Sequence, residues 1–378
     1  MQFKDIIGQE EIKSKLIRSV QENRVPHAQM FVGPPGNGKL ALTLAYAQYI
    51  MCQNRGETDS CGVCPACQKM SKYIHPDLHF VMPTATTKKV KSDNEADLFL
   101  EEWREYLQQC GGYASESDWY SFLDIENKQG YISVRDAKTL IHKLNFKAFE
   151  GSYKIIILWM AEELRSDSAN KLLKILEEPP AMTVFLLVAE EPEKILATIK
   201  SRTVMHKMTR IDTDKVEEAL IDKFGLDSTK AHDIALLSEG NWITAKYLSQ
   251  QNNDYKYNFM TFQQWMRLCF KSKIAELIDF SNNIKDIGRE RQKQFLAYCL
   301  AMVHNTLLVN NGLSDRVQLP DDEKNFCVNF APFINEKNIT QISKMFEESI
   351  NQIEQNAYAS LLFTNLSLKL CTLLRLKA

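Results

Sequence analysis

The segment Gly33-Pro34-Pro35-Gly36-Asn37-Gly38-Lys39 carries the spacing G-x-x-x-x-G-K. In that pattern the glycines let backbone N–H groups close around a polyphosphate, and the lysine reaches its outer phosphates. The next position should be Ser or Thr, whose hydroxyl ligates the Mg²⁺ that bridges the β- and γ-phosphates. Here it is Leu40, which has no oxygen to offer. An active site of this kind also needs an acidic residue at the end of a neighbouring strand. That place is held by Trp159 and Met160, at the end of the apolar run 153–159. Glu162 and Glu163 come later, past Ala161, at the expected start of a helix. Thr43 lies three residues beyond Leu40 on the same helix, so its hydroxyl should aim elsewhere. Two metal contacts are therefore missing, which points to a loop that no longer hydrolyses. Whether ATP still binds is left open, because the backbone cradle and Lys39 remain.

A second constellation is Cys52, Cys61, Cys64 and Cys67, spaced C-x8-C-x2-C-x2-C, with Gly62 and Pro65 making turns. Four thiolates at such spacing suit tetrahedral Zn²⁺ and leave no open coordination position, so the expected role is structural. His75 and His79 lie nearby, but Pro76-Asp77 reads as a turn and both histidines are expected to be structural. Cys110, Cys269, Cys299, Cys327 and Cys371 are isolated and are expected in the core. A third candidate is Arg202, in Ser201-Arg202-Thr203 after a helix starting near Pro192. Alone, an arginine at such a corner is a solvated charge or a salt-bridge partner.

The elements that must hold these residues follow from periodicity. Ile12, Leu16, Ile17 and Val20 recur at helical spacing, and 29–32 is a short apolar strand leading into the glycine loop. The runs 153–159 and 183–188 are continuous apolar strands, as in a parallel sheet covered on both faces. Between them 170–176 is helical and is stopped by Pro179-Pro180. This alternation predicts a doubly wound α/β domain over 1–208, with the cysteine module at 52–67. It is interrupted at 84–130 by a polar and then aromatic insertion, expected to be partly ordered. From Ile211 the pattern is helical, with Asp214-x-x-Glu217 resembling a capping box. Segments 209–252 and 253–378 read as two further helical domains.

Composition bounds the partners. The 378 residues hold 46 Lys+Arg against 48 Asp+Glu, a net charge of −2, which disfavours a large basic face of the chain's own for nucleic acid. No stretch approaches the ~20 apolar residues of a membrane span, and residues 1–5 lack the basic start of an export signal. The expected location is cytoplasmic, where nine cysteines favour metal or burial over disulfides.

Several motifs occur together in a telling order: Asp5-Ile6-Ile7-Gly8-Gln9-Glu10, then Pro26-His27-Ala28 before the glycine loop, the cysteine module directly after the helix that follows the loop, Leu172-Leu173-Lys174-Ile175-Leu176-Glu177-Glu178-Pro179-Pro180, and Ser201-Arg202. In this order they resemble the bacterial DNA polymerase III clamp-loader branch of the AAA+ superfamily. Asn356-Ala357 followed by an apolar helix from Leu361 is similar to that branch's collar. The resemblance implies a P-loop AAA+ domain over 1–208, a helical lid over 209–252 and an oligomerising all-α collar over 253–378. The missing metal contacts match the branch's non-hydrolysing subunit rather than its γ/τ ATPases. Two sensor positions agree: Val188-Ala189-Glu190-Glu191 lacks the usual Thr, Ser or Asn, and Ile243 stands where an arginine is expected. The resemblance further implies that Arg202 is an arginine finger for the ATP of a neighbouring subunit. It implies as partners the γ/τ and δ subunits and, through the ring-like complex, the sliding clamp and primed DNA. Two other readings are an active γ/τ-like ATPase using Thr43 or Glu162 for metal, and a zinc-dependent DNA-binding patch with Lys88, Lys89 and Lys91.

Overall fold

The apolar runs become neighbours in one sheet. In a computed structural model, β1 (Ala28–Val32), β2 (Leu78–Val81), β3 (Lys154–Trp159), β4 (Thr183–Ala189) and β5 (Val204–Lys207) are parallel, in the order β2-β3-β4-β1-β5. The structure describes all residues except 88, 89, 93, 126, 127, 129, 251–253, 314–316, 318, 355, 356, 377 and 378. Lys88, Lys89 and Asn356 thus lie outside the described residues. β3 and β4 are buried at every position, as a sheet covered on both faces requires. The register sets Val32 opposite Ala189 and Trp159 opposite Val188. The carboxyl ends of β1, β4 and β3 therefore share one edge, the edge where open α/β sheets bind ligands.

Two compact units are present, Met1–Lys246 and Tyr247–Ala378. In the first, α1 (Glu10–Gln21) buries Leu16 and Val20, and α2 (Lys39–Met51) is buried at each residue, as its mostly apolar composition favours. α3 (Pro65–Ser71) carries part of the cysteine module. α4 (Leu100–Cys110) and α5 (Glu116–Phe122) occupy the expected insertion, and α6 (Val134–Leu144) precedes β3. α7 (Ser166–Glu177) and the single turn α8 (Ala197–Lys200) flank β4. The insertion is more folded than its polar start suggested. The Trp103 ring of α4 packs 4.9 Å from that of Trp159 in a tilted pair and 5.0 Å from that of Trp119 edge to face, with Phe80 of β2 at 6.3 Å. Trp159 thus fills the apolar space between sheet and insertion, where a carboxylate would be an unpaired buried charge.

After β5 come α9 (Thr213–Phe224), α10 (Ser228–Ser238) and α11 (Trp242–Gln250). The expected capping box does not form. α9 begins at Thr213 with Asp212 at its N-cap, two residues before the expected cap, so Asp214 falls inside the helix, and Glu217 pairs with His232 at 2.8 Å. The second unit is helical among its described residues: α12 (Asp254–Lys271), α13 (Ile274–Lys285), α14 (Arg289–Asn310), α15 (Asp321–Phe330), α16 (Ile339–Glu354) and α17 (Ala359–Leu373). Its core is built around Trp265, whose indole N–H donates to Ser367 Oγ at 2.8 Å. Cys269, Cys299, Cys327 and Cys371 are buried in that core. Among the described residues no helix is long and apolar enough to cross a membrane.

Candidate functional site

The glycine loop leaves β1 beside the end of β4, and Gly33 N–H donates to Ala189 O at 3.4 Å. Gly36 and Gly38 take φ of +71° and +84°, conformations that a side chain disfavours, which explains two of the three glycines. The loop is turned inward rather than open. Gly36, Asn37, Gly38, Lys39 and Leu40 are buried. Asn37 donates through Nδ2 to the carbonyls of Met208 (3.4 Å) and Thr209 (3.3 Å), and its Oδ1 accepts from Lys39 N at 3.2 Å. Trp242 N–H donates to Gly36 O at 3.0 Å, and Asn241 sits where a Cβ on Gly36 would lie, 1.7 Å from it. The Tyr113 ring closes over Gly38. Residues of the chain itself therefore pack against the cradle. Ile243, the sensor position of the sequence reading, only donates its N–H to Asn241 Oδ1 at 3.0 Å.

Lys39 already has an anion. Its Nζ donates to Glu190 Oε1 at 2.7 Å and to Pro34 O at 3.1 Å, with side-chain exposures of 5% for Lys39 and 22% for Glu190. The pairing follows from strand order: β4 neighbours β1, so the first residue past β4 reaches into the loop. Burial lowers the Lys39 pKa, and the Glu190 carboxylate pulls it back up. Glu162 is not at the start of a following helix. Met160, at φ +57°, and a 3-10 turn at Ala161–Glu163 fold it back, so that Oε1 accepts from Glu190 N (2.6 Å) and Glu191 N (3.1 Å). Its other oxygen is buried with no hydrogen-bond partner among the described residues, and burial pushes its pKa up. Thr43 Oγ1 donates within its own helix to Lys39 O at 2.7 Å, and does not face the loop.

The four thiols converge, with all sulfurs within 4.8 Å of one another. Cys52 and Cys61 Sγ are 3.6 Å apart, and Cys61 and Cys67 Sγ 3.9 Å apart. A tetrahedral zinc with Zn–S of about 2.3 Å needs sulfur separations of about 3.8 Å. Backbone N–H groups of Cys61, Cys64 and Cys67 point at the sulfurs of Cys52 (3.3 Å), Cys61 (3.3 Å) and Cys64 (3.5 Å), which favours thiolates. Against its own burial, the N–H donors of Cys67 and Gln53 draw the Cys64 thiol down to about 6. The donor set fits a closed structural zinc. His75 is outside it: its Nδ1 accepts from Asp77 N at 3.2 Å. His79, on β2, is held to a pKa of about 4 by burial.

Arg202 follows α8 on the surface. Its Nε and Nη2 donate to Glu177 Oε2 at 3.2 and 2.9 Å, and its Nη1 to Thr198 O at 3.0 Å. The structure thus brings together Gly33, Gly36, Gly38 and Lys39 in one loop and the four cysteines in one cluster. It sets Arg202 on the partly exposed corner after α8. Glu190, Asn241 and Glu177 were not singled out from the sequence as contacts of these groups. Strand adjacency could have flagged Glu190, whereas the others depend on side-chain placement.

A parallel sheet with a G-x-x-x-x-G-K loop between β1 and a buried helix defines the P-loop class of α/β proteins. The family model described as DNA polymerase III, delta subunit, matches residues 8–212, more than half of the sequence, and the chain belongs to that family, on its clamp-loader delta prime side. It is 31% identical over 192 residues to DNA polymerase III subunit delta′ of Escherichia coli, covering 51% of this chain and 45% of that one. Identity to the delta′ subunit of Pseudomonas aeruginosa is 28% over 229 residues, covering 60% and 56%. The tau/gamma subunit of Haemophilus influenzae is 24% identical over 235 residues, covering 62% and 28%. The chain spans about half the length of the delta′ relatives it matches.

Proposed function

We propose that this chain is the non-hydrolysing stator of a replicative clamp loader. In this reading it supplies Arg202 in trans to the ATP of a neighbouring γ/τ-type subunit, assembles with γ/τ and δ subunits, and supports loading of a sliding clamp onto primed DNA. One observation carries the reading: Lys39, the group that should meet phosphate, is neutralised by Glu190 in the buried second half of a loop that has Leu40 at the metal position. A nucleotide would have to displace Glu190, Asn241 and Trp242 before reaching the lysine. Arg202 is partly exposed, as a group serving a neighbour must be. Cys52, Cys61, Cys64 and Cys67 would hold Zn²⁺, which closes its coordination shell on protein ligands and staples the segment after α2.

The γ/τ-like alternative loses support because Thr43 bonds within its helix and Glu162 is tied to the backbone after β4. No observation favours the DNA-binding alternative. The test is a titration of the isolated chain with ATP, with and without Mg²⁺, alongside an ATPase assay. The expected result is turnover at background. Turnover that Lys39→Ala abolishes would refute the reading.

A further inference from the structure

We propose that Glu177 is a positioning residue for Arg202, an internal stand-in for phosphate that must be displaced before the arginine can serve a neighbour. The inference rests on the reading of Arg202 as a finger in trans.

A guanidinium offers five N–H donors in a rigid planar fork. In this chain the fork is nearly used up. Nε and Nη2 converge on one oxygen of Glu177 at 3.2 and 2.9 Å. Nη1 donates to Thr198 O at 3.0 Å and to Ser201 Oγ at 3.4 Å. The Nε/Nη2 edge is one that grips carboxylates and phosphates with two parallel bonds, so a carboxylate already occupies a phosphate-binding edge.

The two sets of contacts differ in how firmly they are held. Thr198 O is backbone of the α8 turn, whereas Glu177 contributes a side chain that is 59% exposed. Glu177 is the last residue of α7, which packs against α8 and is followed by Pro179-Pro180. Its Cα is therefore fixed while its carboxylate can swing away. When it does, Nη1 stays anchored on the α8 corner and the Nε/Nη2 edge faces outward. A terminal phosphate brings more charge and three acceptor oxygens to that edge, so it wins the exchange.

Solvent-exposed ion pairs are weak, and releasing this one costs at most about fivefold in an equilibrium. A finger is worth ~10³–10⁵ in rate, so the latch tunes engagement without preventing it. It also gives the arginine a partner while no neighbouring phosphate is present.

The test uses the full chain and the ATPase subunits it assembles with, loaded either with a non-hydrolysable ATP analogue or with ADP. Glu177→Gln should bind analogue-loaded subunits up to about fivefold more tightly and ADP-loaded subunits as wild type does. Glu177→Asp should restore wild-type behaviour. An equal change in both nucleotide states, no change, or weaker binding to the analogue-loaded state would overturn the latch. Arg202→Ala separates the two claims. If it lowers the assembly's ATPase while Glu177→Gln fails to discriminate the nucleotides, only the latch falls. If it leaves the ATPase unchanged, both fall.

Discussion

Glu190→Gln removes the carboxylate that touches Lys39, and the structure sets the size of the effect. Lys39 is 5% exposed and Glu190 22%, so the pair is mostly dry. Breaking a fully buried pair costs about 3–5 kcal/mol, and the partial exposure of Glu190 brings the expectation to about 2–3 kcal/mol. Pro34 O remains as an acceptor for the ammonium, which limits the loss further. Removing both charges with Lys39→Met and Glu190→Gln should return the protein to within about 1 kcal/mol of wild type, because the buried charge is then gone. The coupling in the double-mutant cycle should be about 2 kcal/mol. The sign with pH follows from the lowered Lys39 pKa. Between its folded value and its ordinary 10.5 the unfolded chain binds more protons, so stability rises with pH in that window. Without Glu190 the window reaches lower, and the deficit of the single variant should shrink as the pH rises through that added range. Urea titration read by hydrogen exchange of β1 and α2 peptides isolates the first unit. A Glu190→Gln variant within about 0.5 kcal/mol of wild type, or singles that simply add, would refute the reasoning.

Leu40→Thr restores the missing hydroxyl but leaves Glu190 on Lys39, so ATP turnover of the isolated chain should stay at background in a coupled assay. Metal analysis should give about one zinc per chain, and Cys64→Ser should lose it with a lower melting temperature. A metal-free chain that is equally stable would contradict the ligand set. Asp77 accepts the N–H groups of Phe149 (2.6 Å), Glu150 (2.8 Å) and Gly151 (2.7 Å), which together outweigh its burial and hold its pKa below the ordinary 3.8. That stability is present at neutral pH and is lost as the pH falls through the depressed value. Asp77→Asn should cost about 1–3 kcal/mol at pH 7 and flatten the acid dependence, as urea titrations at pH 7 and at acid pH would read.

The parts of this molecule that were legible in its sequence are those written in local pattern. β1, β3 and β4 are mostly apolar runs, the loop and cysteine spacings stand in the sequence itself, and α2 is mostly apolar. β2 escaped because it is four residues interrupted by His79. β5 escaped because it is a short edge strand with no buried position. The charge placements were the harder part. Glu162 read as the start of a helix until the left-handed Met160 turned it back, and Glu190 reaches Lys39 across 151 positions of sequence. Trp159 could be seen as a missing acid, but its partner Trp103 lies in a segment whose polar start concealed its aromatic packing. In each case the sequence held the residue and strand order or packing supplied the contact.

The role proposed for Arg202 puts this chain's chemistry on a neighbour's nucleotide. The most direct measurement is the ATPase of the assembly carrying Arg202→Ala, beside the same variant's assembly competence and the isolated wild-type chain. Normal assembly is expected, with no turnover by the isolated chain and loss of the ATPase contributed by the adjacent subunit. An unchanged rate in a fully assembled Arg202→Ala complex would contradict that role.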